Sequence, residues 1–133
     1  MRAFDKVSDF LESGPFAVAG ASRDRSKYGN KVLRAYQQSG RGVFAVNPHE
    51  TEVEGAPSVP DVASLPSGVR GLSIVTQPEV TERLVEDAAR AGIRRVWMQP
   101  GAESERAVRR AEELGLSVIA GGPCVLVALR FRE

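Results

Sequence analysis

One unit recurs along the chain: a short apolar run, a helical segment, a glycine and the next apolar run. Five such runs lie at residues 15–20, 42–46, 71–76, 95–99 and 116–120. Gly40, Gly92 and Gly115 each end one of the helical segments between them. The runs are apolar throughout rather than alternating, which is typical of strands in a parallel sheet that is covered on both faces. The repeat therefore favours a layered α/β architecture.

We predict an α/β fold with a Rossmann-like, doubly wound parallel sheet of about five strands, in the order 3-2-1-4-5, and helices on both faces. An opening helix, with Phe4, Val7, Phe10 and Leu11 on its apolar side, is expected at the edge of the sheet. The proline-rich residues 47–66 are expected to be irregular apart from a short helix near residues 61–65. Residues 1–133 fit one domain.

Charge and cysteine content exclude several classes of function. A formal net charge of +1 gives no sign of a nucleic-acid partner. The absence of a membrane-length apolar run and of a signal-peptide pattern predicts a cytoplasmic protein without a membrane partner. Cys124, the only cysteine, cannot form an internal disulfide or a thiolate zinc cluster, and no metal site is predicted around His49. Monomer and homodimer both remain open.

The ligand site of such a sheet lies at the carboxyl ends of its strands, where the strand order reverses. Four connections converge there, at residues 20–29, 47–50, 76–79 and 98–102. They supply the candidate cofactor-binding residues Gly20, Ala21, Ser22, Arg23, Arg25, Lys27, Tyr28, Asn47, Pro48, Thr76, Gln77, Pro78, Met98, Gln99, Pro100 and Gly101.

The first connection has the chemistry of a phosphate site. Its small residues let backbone amides approach phosphate oxygens at the start of the following helix, while Arg23, Arg25 and Lys27 supply positive charge. The alternative is an ordinary strand-to-helix connection with solvated charges. The glycine after Gly20 is Gly29, so the dinucleotide motif G-x-G-x-x-G is not matched.

The other connections bear on which nucleotide is bound. The second strand ends in Asn47 and Pro48, where NAD-dependent enzymes usually carry a carboxylate for the ribose. The ribose of coenzyme A (CoA) carries a phosphate that a carboxylate would repel, so we expect an adenosine rim without carboxylates. Gln77 and Gln99 can hydrogen-bond an amide-rich arm such as pantetheine. The alternative is that the prolines beside them merely begin helices.

Five short motifs carry a family resemblance: VAGAS at residues 18–22, SKYG at 26–29, VNP at 46–48, WMQPG at 97–101 followed by Glu103, and GGPC at 121–124. Over most of the chain the sequence resembles the stand-alone CoA-binding proteins and is similar to the N-terminal domain of the succinyl-CoA synthetase alpha subunit. The resemblance implies that CoA or a short acyl-CoA lies across the strand ends.

The same resemblance implies a place for each part of the ligand. Ser22, Arg23 and Arg25 fall on the loop that cradles the phosphates, and Asn47 and Pro48 fall where the adenosine is bordered. Gln77 and Pro78 lie beside the nucleotide, and Met98, Gln99 and Pro100 lie on the segment that meets the pantetheine arm.

Two departures from the synthetase limit what can be carried over. A lysine that helps hold the ligand after the second strand has no counterpart in residues 48–51, and the phosphorylated histidine belongs to a later domain. We therefore expect binding without chemistry and assign no catalytic residues. The alternatives are an NAD(H)-binding redox-sensing domain and the nucleotide-binding subunit of an acyl-CoA ligase. Trp97 is expected in the core; Cys124 is expected to be a buried small residue or a thiol that reacts with the cofactor.

Overall fold

The computed structural model describes the backbone of residues 3–133 and the side chains from Lys6 onward. In this part of the chain the elements are α1 (Ala3–Leu11), β1 (Phe16–Ala19), α2 (Tyr28–Gln38), β2 (Val43–Val46), β3 (Glu52–Val53), β4 (Ala56–Val59), a 3₁₀ helix (Val62–Ser64), β5 (Gly71–Ile74), α3 (Pro78–Arg90), β6 (Arg95–Met98), α4 (Glu105–Glu113), β7 (Ser117–Ile119) and α5 (Val125–Ala128). No helix within residues 3–133 has the length and apolar character needed to cross a bilayer.

The strands form one sheet in the order β3-β4-β2-β1-β5-β6-β7. Strand β1 lies at its centre, with Phe16 opposite Val43 of β2 on one side and opposite Gly71 of β5 on the other. All neighbouring strands are parallel except β3, which pairs antiparallel with β4. The predicted α/β, Rossmann-like class is confirmed.

The sheet has seven strands rather than five, and the additional ones correct the predicted strand order. The strand at residues 71–76 was expected beyond β2, but as β5 it pairs with β1, and β4 pairs with β2 instead. Counting β4 as the third parallel strand gives the order 3-2-1-4-5-6. Sequence patterns missed β3 and β4 because Pro57 lies inside β4. A proline is tolerated there because Pro57 belongs to the short antiparallel pair at the sheet edge, opposite Glu52.

Two apolar layers cover the faces of the sheet. Along β1, Ala17 and Ala19 pack toward α3 and α4, whereas Phe16 and Val18 pack toward α1, α2 and α5. This alternation, with apolar residues on both faces, explains why the strand sequences are apolar throughout.

Helix α1 lies on a face of the sheet rather than at its edge. Phe10 stacks on Phe16 with ring centroids 5.5 Å apart and meets the edge of Trp97 at 5.3 Å. Trp97 is fully buried, as expected of a core residue. The side chain of Phe4, predicted on the apolar side of this helix, lies outside the described residues.

Candidate ligand-binding site at the carboxyl edge of the sheet

A pocket of about 220 Å³ opens where the central strands end. Its lining comes from the ends of β1, β2, β4 and β5 and from one side of α3: Ala19, Gly20, Ala21, Val46, Asn47, Pro48, Pro60, Asp61, Val62, Thr76, Val80, Leu84 and Asp87. The pocket shares Pro48, Asp61 and Asp87 with a neighbouring groove of about 650 Å³, which Arg83 and Arg90 also line. The predicted first, second and third connections therefore meet at one cavity.

Two glycines bring the loop after β1 and the start of α2 into close contact. A β-carbon on Gly20, whose φ is +92°, would lie 2.5 Å from the carbonyl oxygen of Val75. A β-carbon on Gly29 would lie 2.0 Å from the carbonyl oxygen of Gly20. Gly29 thus provides the close helix–strand packing that the third glycine provides in dinucleotide motifs. The motif search missed this role because the loop is longer than the motif allows.

The first turn of α2 begins beside this loop without a side-chain cap. Lys27 is its N-cap residue and makes no capping hydrogen bond through its side chain. By contrast, the Ser104 hydroxyl caps α4 by accepting from the Ala107 amide at 3.0 Å. Uncapped first-turn amides and the positive end of the helix dipole favour an anion at the start of α2.

A buried polar pair, Asn30 and Arg34, holds the loop after β1 through hydrogen bonds. The Asn30 side-chain amide donates to the Ser22 carbonyl at 2.8 Å and to Glu54 Oε2 at 3.0 Å. Arg34 Nε donates to Asn30 Oδ1 at 2.6 Å, and its Nη2 donates to the Arg25 carbonyl at 3.2 Å. Asn30 is fully buried and Arg34 is 6% exposed. Neither Asn30 nor Arg34 was predicted to take part in the site. The available signal was a pair of polar residues, four apart, on the apolar side of a helix.

Two of the three predicted cations of the loop, Arg23 and Arg25, lie in ion pairs at the surface, and Lys27 is exposed. Arg23 Nε is 3.6 Å from Glu50 Oε2, and Arg25 Nη1 is 3.4 Å from Glu54 Oε1. Such pairs contribute about 0–1 kcal/mol, so a phosphate can replace the carboxylates at low cost. The Ser22 hydroxyl accepts from the Asp24 amide at 3.0 Å, which leaves its own hydrogen free to donate.

The turn after β2 is tied to the turn after β1. Asn47 Nδ2 donates to the Ala21 carbonyl at 2.8 Å, and Asn47 Oδ1 accepts from the amide of His49 at 2.7 Å. Asn47 therefore shapes the pocket, and Pro48 forms part of its lining.

The expected rim without carboxylates is wrong, because Asp61 and Asp87 both line the pocket. Asp61 follows β4, a strand that the sequence patterns did not reveal. Its Oδ1 is engaged in capping the 3₁₀ helix, accepting from the Ser64 amide at 2.9 Å and from the Ser64 hydroxyl at 2.7 Å.

The third and fourth connections differ in what they present. Thr76 lines the pocket and its hydroxyl pairs with that of Thr81 at 2.9 Å. Gln77, Pro100 and Gly101 are exposed, and Pro78 begins α3 as the sequence suggested. Met98 is fully buried in the core and is not brought to the surface of the site.

A second polar cluster joins Tyr28, Gln99 and Cys124. The Tyr28 hydroxyl lies 3.2 Å from Gln99 Oε1 and 2.6 Å from Cys124 Sγ. The Val125 amide donates to Gln99 Oε1 at 2.9 Å. Because a backbone amide can only donate, this bond fixes which side-chain atom of Gln99 is the oxygen. Gln99 Nε2 is buried and has no hydrogen-bond partner among the described residues.

Burial and the hydrogen bond with Cys124 raise the pKa of the Tyr28 hydroxyl. The phenol therefore stays protonated at neutral pH and keeps a hydrogen to donate within the cluster.

The remaining chemistry-bearing residues stand apart from these clusters. His49 is exposed on the turn after β2. Across the part of the chain that the structure describes, no three His, Cys, Asp or Glu side chains come together as a metal site.

Fold and pocket together define a doubly wound α/β domain with a pocket at the carboxyl edge of its sheet. The chain belongs to the CoA binding domain family, whose model matches residues 15–130. That match includes all four predicted connections and the motif around Cys124.

A curated relative supports this assignment. An ADP-forming acetate–CoA ligase of Archaeoglobus fulgidus is 31% identical over 114 residues, which are 77% of this chain and 16% of the ligase. The chain thus spans about a sixth of the length of that curated relative. The NAD(H) alternative finds no support in these comparisons.

Solved structures share the architecture. A conserved hypothetical protein of Pyrococcus furiosus has a TM-score of 0.81 and 36% identity, with 85% of this chain and 97% of that chain covered. A hypothetical protein of Pyrococcus horikoshii gives 0.88 and 27%, covering 96% and 89%. The dinucleotide forming acetyl-coenzyme A synthetase 1 of Ca. Korarchaeum cryptofilum gives 0.69 and 30%, covering 77% of this chain and 25% of its own.

Proposed function

We propose that this chain binds CoA, or a short acyl-CoA, at the carboxyl ends of its parallel strands. The supporting observation is that Gly20 and Ala21, which line the strand-end pocket, pack against Gly29 at the uncapped start of α2, within the segment that matches the CoA-binding family. The pyrophosphate would meet the amides of Ala21 and Ser22 and the first turn of α2. Arg23 and Lys27 would supply charge from the rim.

The adenosine fits the 220 Å³ pocket between β2, β4 and α3. With Oδ1 committed to the 3₁₀ helix, Asp61 has its other oxygen to accept from a ribose hydroxyl or the adenine amine. The pocket lining contains two acids and no basic residue, so the ribose phosphate is best placed outside it. The adjoining groove adds Arg83 and Arg90 to the acids Asp61, Glu86 and Asp87. Because Arg90 Nη1 already pairs with Asp87 at 3.3 Å, Arg83 is the candidate for that phosphate.

The pantetheine arm would run over the ends of β5 and β6, past Gln77 and toward Gln99. Its amides and carbonyls need neutral donors and acceptors. Gln99 Nε2 is a buried donor for which the described residues provide no acceptor, and a pantetheine carbonyl would satisfy it.

Calorimetric titration of the purified chain with CoA, acetyl-CoA, NAD⁺ and NADH in parallel tests this proposal. We expect saturable binding of CoA or acetyl-CoA and much weaker binding of both nicotinamide nucleotides. Tight NADH binding without a response to CoA or acetyl-CoA would contradict it.

The match to an acetate–CoA ligase favours a second candidate, in which this chain is the CoA-binding part of a larger ligase. Its test is ADP formation from ATP, acetate and CoA. The assay is run with the isolated chain and with the chain added to the other domains of an acetate–CoA ligase. Activity that appears only in the combined sample supports the subunit role. CoA binding with no activity in either sample leaves the binding function alone.

A further inference from the structure

Two hydrogen bonds hold the chain on either side of Cys124. Trp97 Nε1 donates to the Pro123 carbonyl at 3.0 Å, and the Val125 amide donates to Gln99 Oε1 at 2.9 Å. Trp97 lies in β6, and Gln99 directly follows that strand. Both residues are fully buried. The thiol is therefore fixed against the carboxyl end of the sheet rather than carried on a loose tail.

The surroundings of the thiol point to a ligand. Cys124 is partly exposed, and its Sγ is 2.6 Å from the Tyr28 hydroxyl. Gln99 Oε1 accepts a hydrogen bond from the Tyr28 hydroxyl, and Nε2 of the same side chain is buried without an acceptor in the described part of the chain. A buried donor without an acceptor is unfavourable unless a ligand binds it, so the cluster formed by the described residues lacks one acceptor.

We propose that Cys124 exchanges with the disulfide of CoA and thereby holds one CoA as a mixed disulfide. This inference rests on the proposed function, because the nucleotide end of the ligand must first be bound near α2. Tyr28 is the first residue of α2, and its hydroxyl contacts Cys124 Sγ. The sulfur atom is therefore separated from the proposed pyrophosphate site, at the start of α2, by the length of one tyrosine side chain. The pantetheine arm is longer than a tyrosine side chain and can bring its sulfur to Cys124.

The exchange needs no external oxidant. The Cys124 thiol gives its proton to solvent, and the thiolate attacks one sulfur of CoA disulfide. A bond between Sγ and that sulfur forms while the original sulfur–sulfur bond breaks. The electron pair leaves with the second CoA, which takes up a proton as a thiol. The protonated Tyr28 hydroxyl can donate to the Cys124 thiolate before the attack.

Intact-mass spectrometry of the reduced chain, incubated in turn with CoA disulfide and with oxidised glutathione, tests the inference. We expect one CoA moiety per chain, released by dithiothreitol, formed at least tenfold faster than the glutathione adduct. The Cys124→Ser variant, checked for folding by circular dichroism, should give no adduct.

Titration of the wild type with reduced CoA separates the two proposals. If CoA binds reversibly but no mixed disulfide forms, this inference fails and the binding function stands. Equal rates with both disulfides would overturn it as well, since they indicate a generally reactive thiol. Absence of reversible CoA binding would defeat the proposed function itself.

Discussion

The α-carbon of Gly29 packs against the carbonyl oxygen of Gly20 so closely that a β-carbon there would lie 2.0 Å away. This contact joins the first turn of α2 to the loop after β1. Backbone amides reach an anion only where no side chain intervenes. The contact therefore also brings the amides of the loop after β1 close to those of the first turn of α2. The packing of these two residues is thus the structural basis of the proposed phosphate site.

We expect Gly29→Ala to destabilise the fold by roughly 1–3 kcal/mol, because a helix and a strand end must separate to admit the methyl group. Urea unfolding followed by Trp97 fluorescence measures the change. Gly42→Ala is the matched control, since a β-carbon there meets only Pro15 Cβ at 3.8 Å. Equal effects of the two substitutions would contradict the close-packing argument.

Asn30→Ala should lower the free energy of unfolding by about 1–3 kcal/mol, because it removes the donor to the Ser22 carbonyl and the acceptor of Arg34 Nε. CoA affinity should fall as well, since the phosphate loop loses its support. Gln38→Ala, which alters an exposed amide on the same helix, should change stability less and affinity not at all. Unchanged CoA affinity in Asn30→Ala would show that the loop holds its shape without this side chain.

Arg23→Ala and Arg25→Ala should each weaken CoA binding by about 1–3 kcal/mol if the guanidinium groups leave Glu50 and Glu54 for phosphate. Calorimetry at two salt concentrations measures the loss, which should shrink at high salt. Arg94→Ala, at the opposite edge of the sheet, is the control. Wild-type affinity in both loop variants would mean that backbone amides alone hold the phosphates.

Arg83→Ala should reduce the affinity for CoA about tenfold and leave the affinity for dephospho-CoA, which lacks the ribose phosphate, nearly unchanged. The reason is that Arg83 lines the groove next to the adenosine pocket but not the pocket itself. The two ligands are titrated against wild type and variant to give a complete cycle. An equal loss for both would place the ribose phosphate elsewhere.

The ion pair between α1 and β6 should make stability depend on pH. Arg95 Nε lies 2.8 Å from Asp9 Oδ2, and this hydrogen bond lowers the pKa of Asp9 below its usual 3.8. A carboxyl whose pKa is lower in the folded state stabilises the fold above its unfolded pKa and loses that contribution as pH falls through the folded pKa. The stability difference between wild type and Asp9→Asn, from urea unfolding, should therefore be full at pH 6 and diminish below 3.8. A difference that stays constant down to pH 3 would mean that the contribution does not depend on the charge of Asp9, and no difference at pH 6 would mean that the pair contributes nothing.

Much of the site followed from sequence because parallel strands must end at a common edge. Gly20, Ala21, Asn47, Pro48 and Thr76 were predicted from three separate connections, and the structure brings them to one pocket. The acids of that pocket could not be predicted in the same way. Asp61 reaches it through β4, which proline content disguised, and Asp87 reaches it from the middle of α3.

Local patterns by themselves determined the class of fold, because apolar runs, helical spacing and terminal glycines act within a few residues of the chain. Only the tertiary structure decided which side chains meet. Tyr28 pairs with Gln99, 71 residues away, and with Cys124, 96 residues away. Such contacts depend on the sheet order and on the path of α5 across α2, and no local periodicity records either one. The sequence therefore predicted the edge of the sheet at which the candidate site lies, and packing decided which groups meet there.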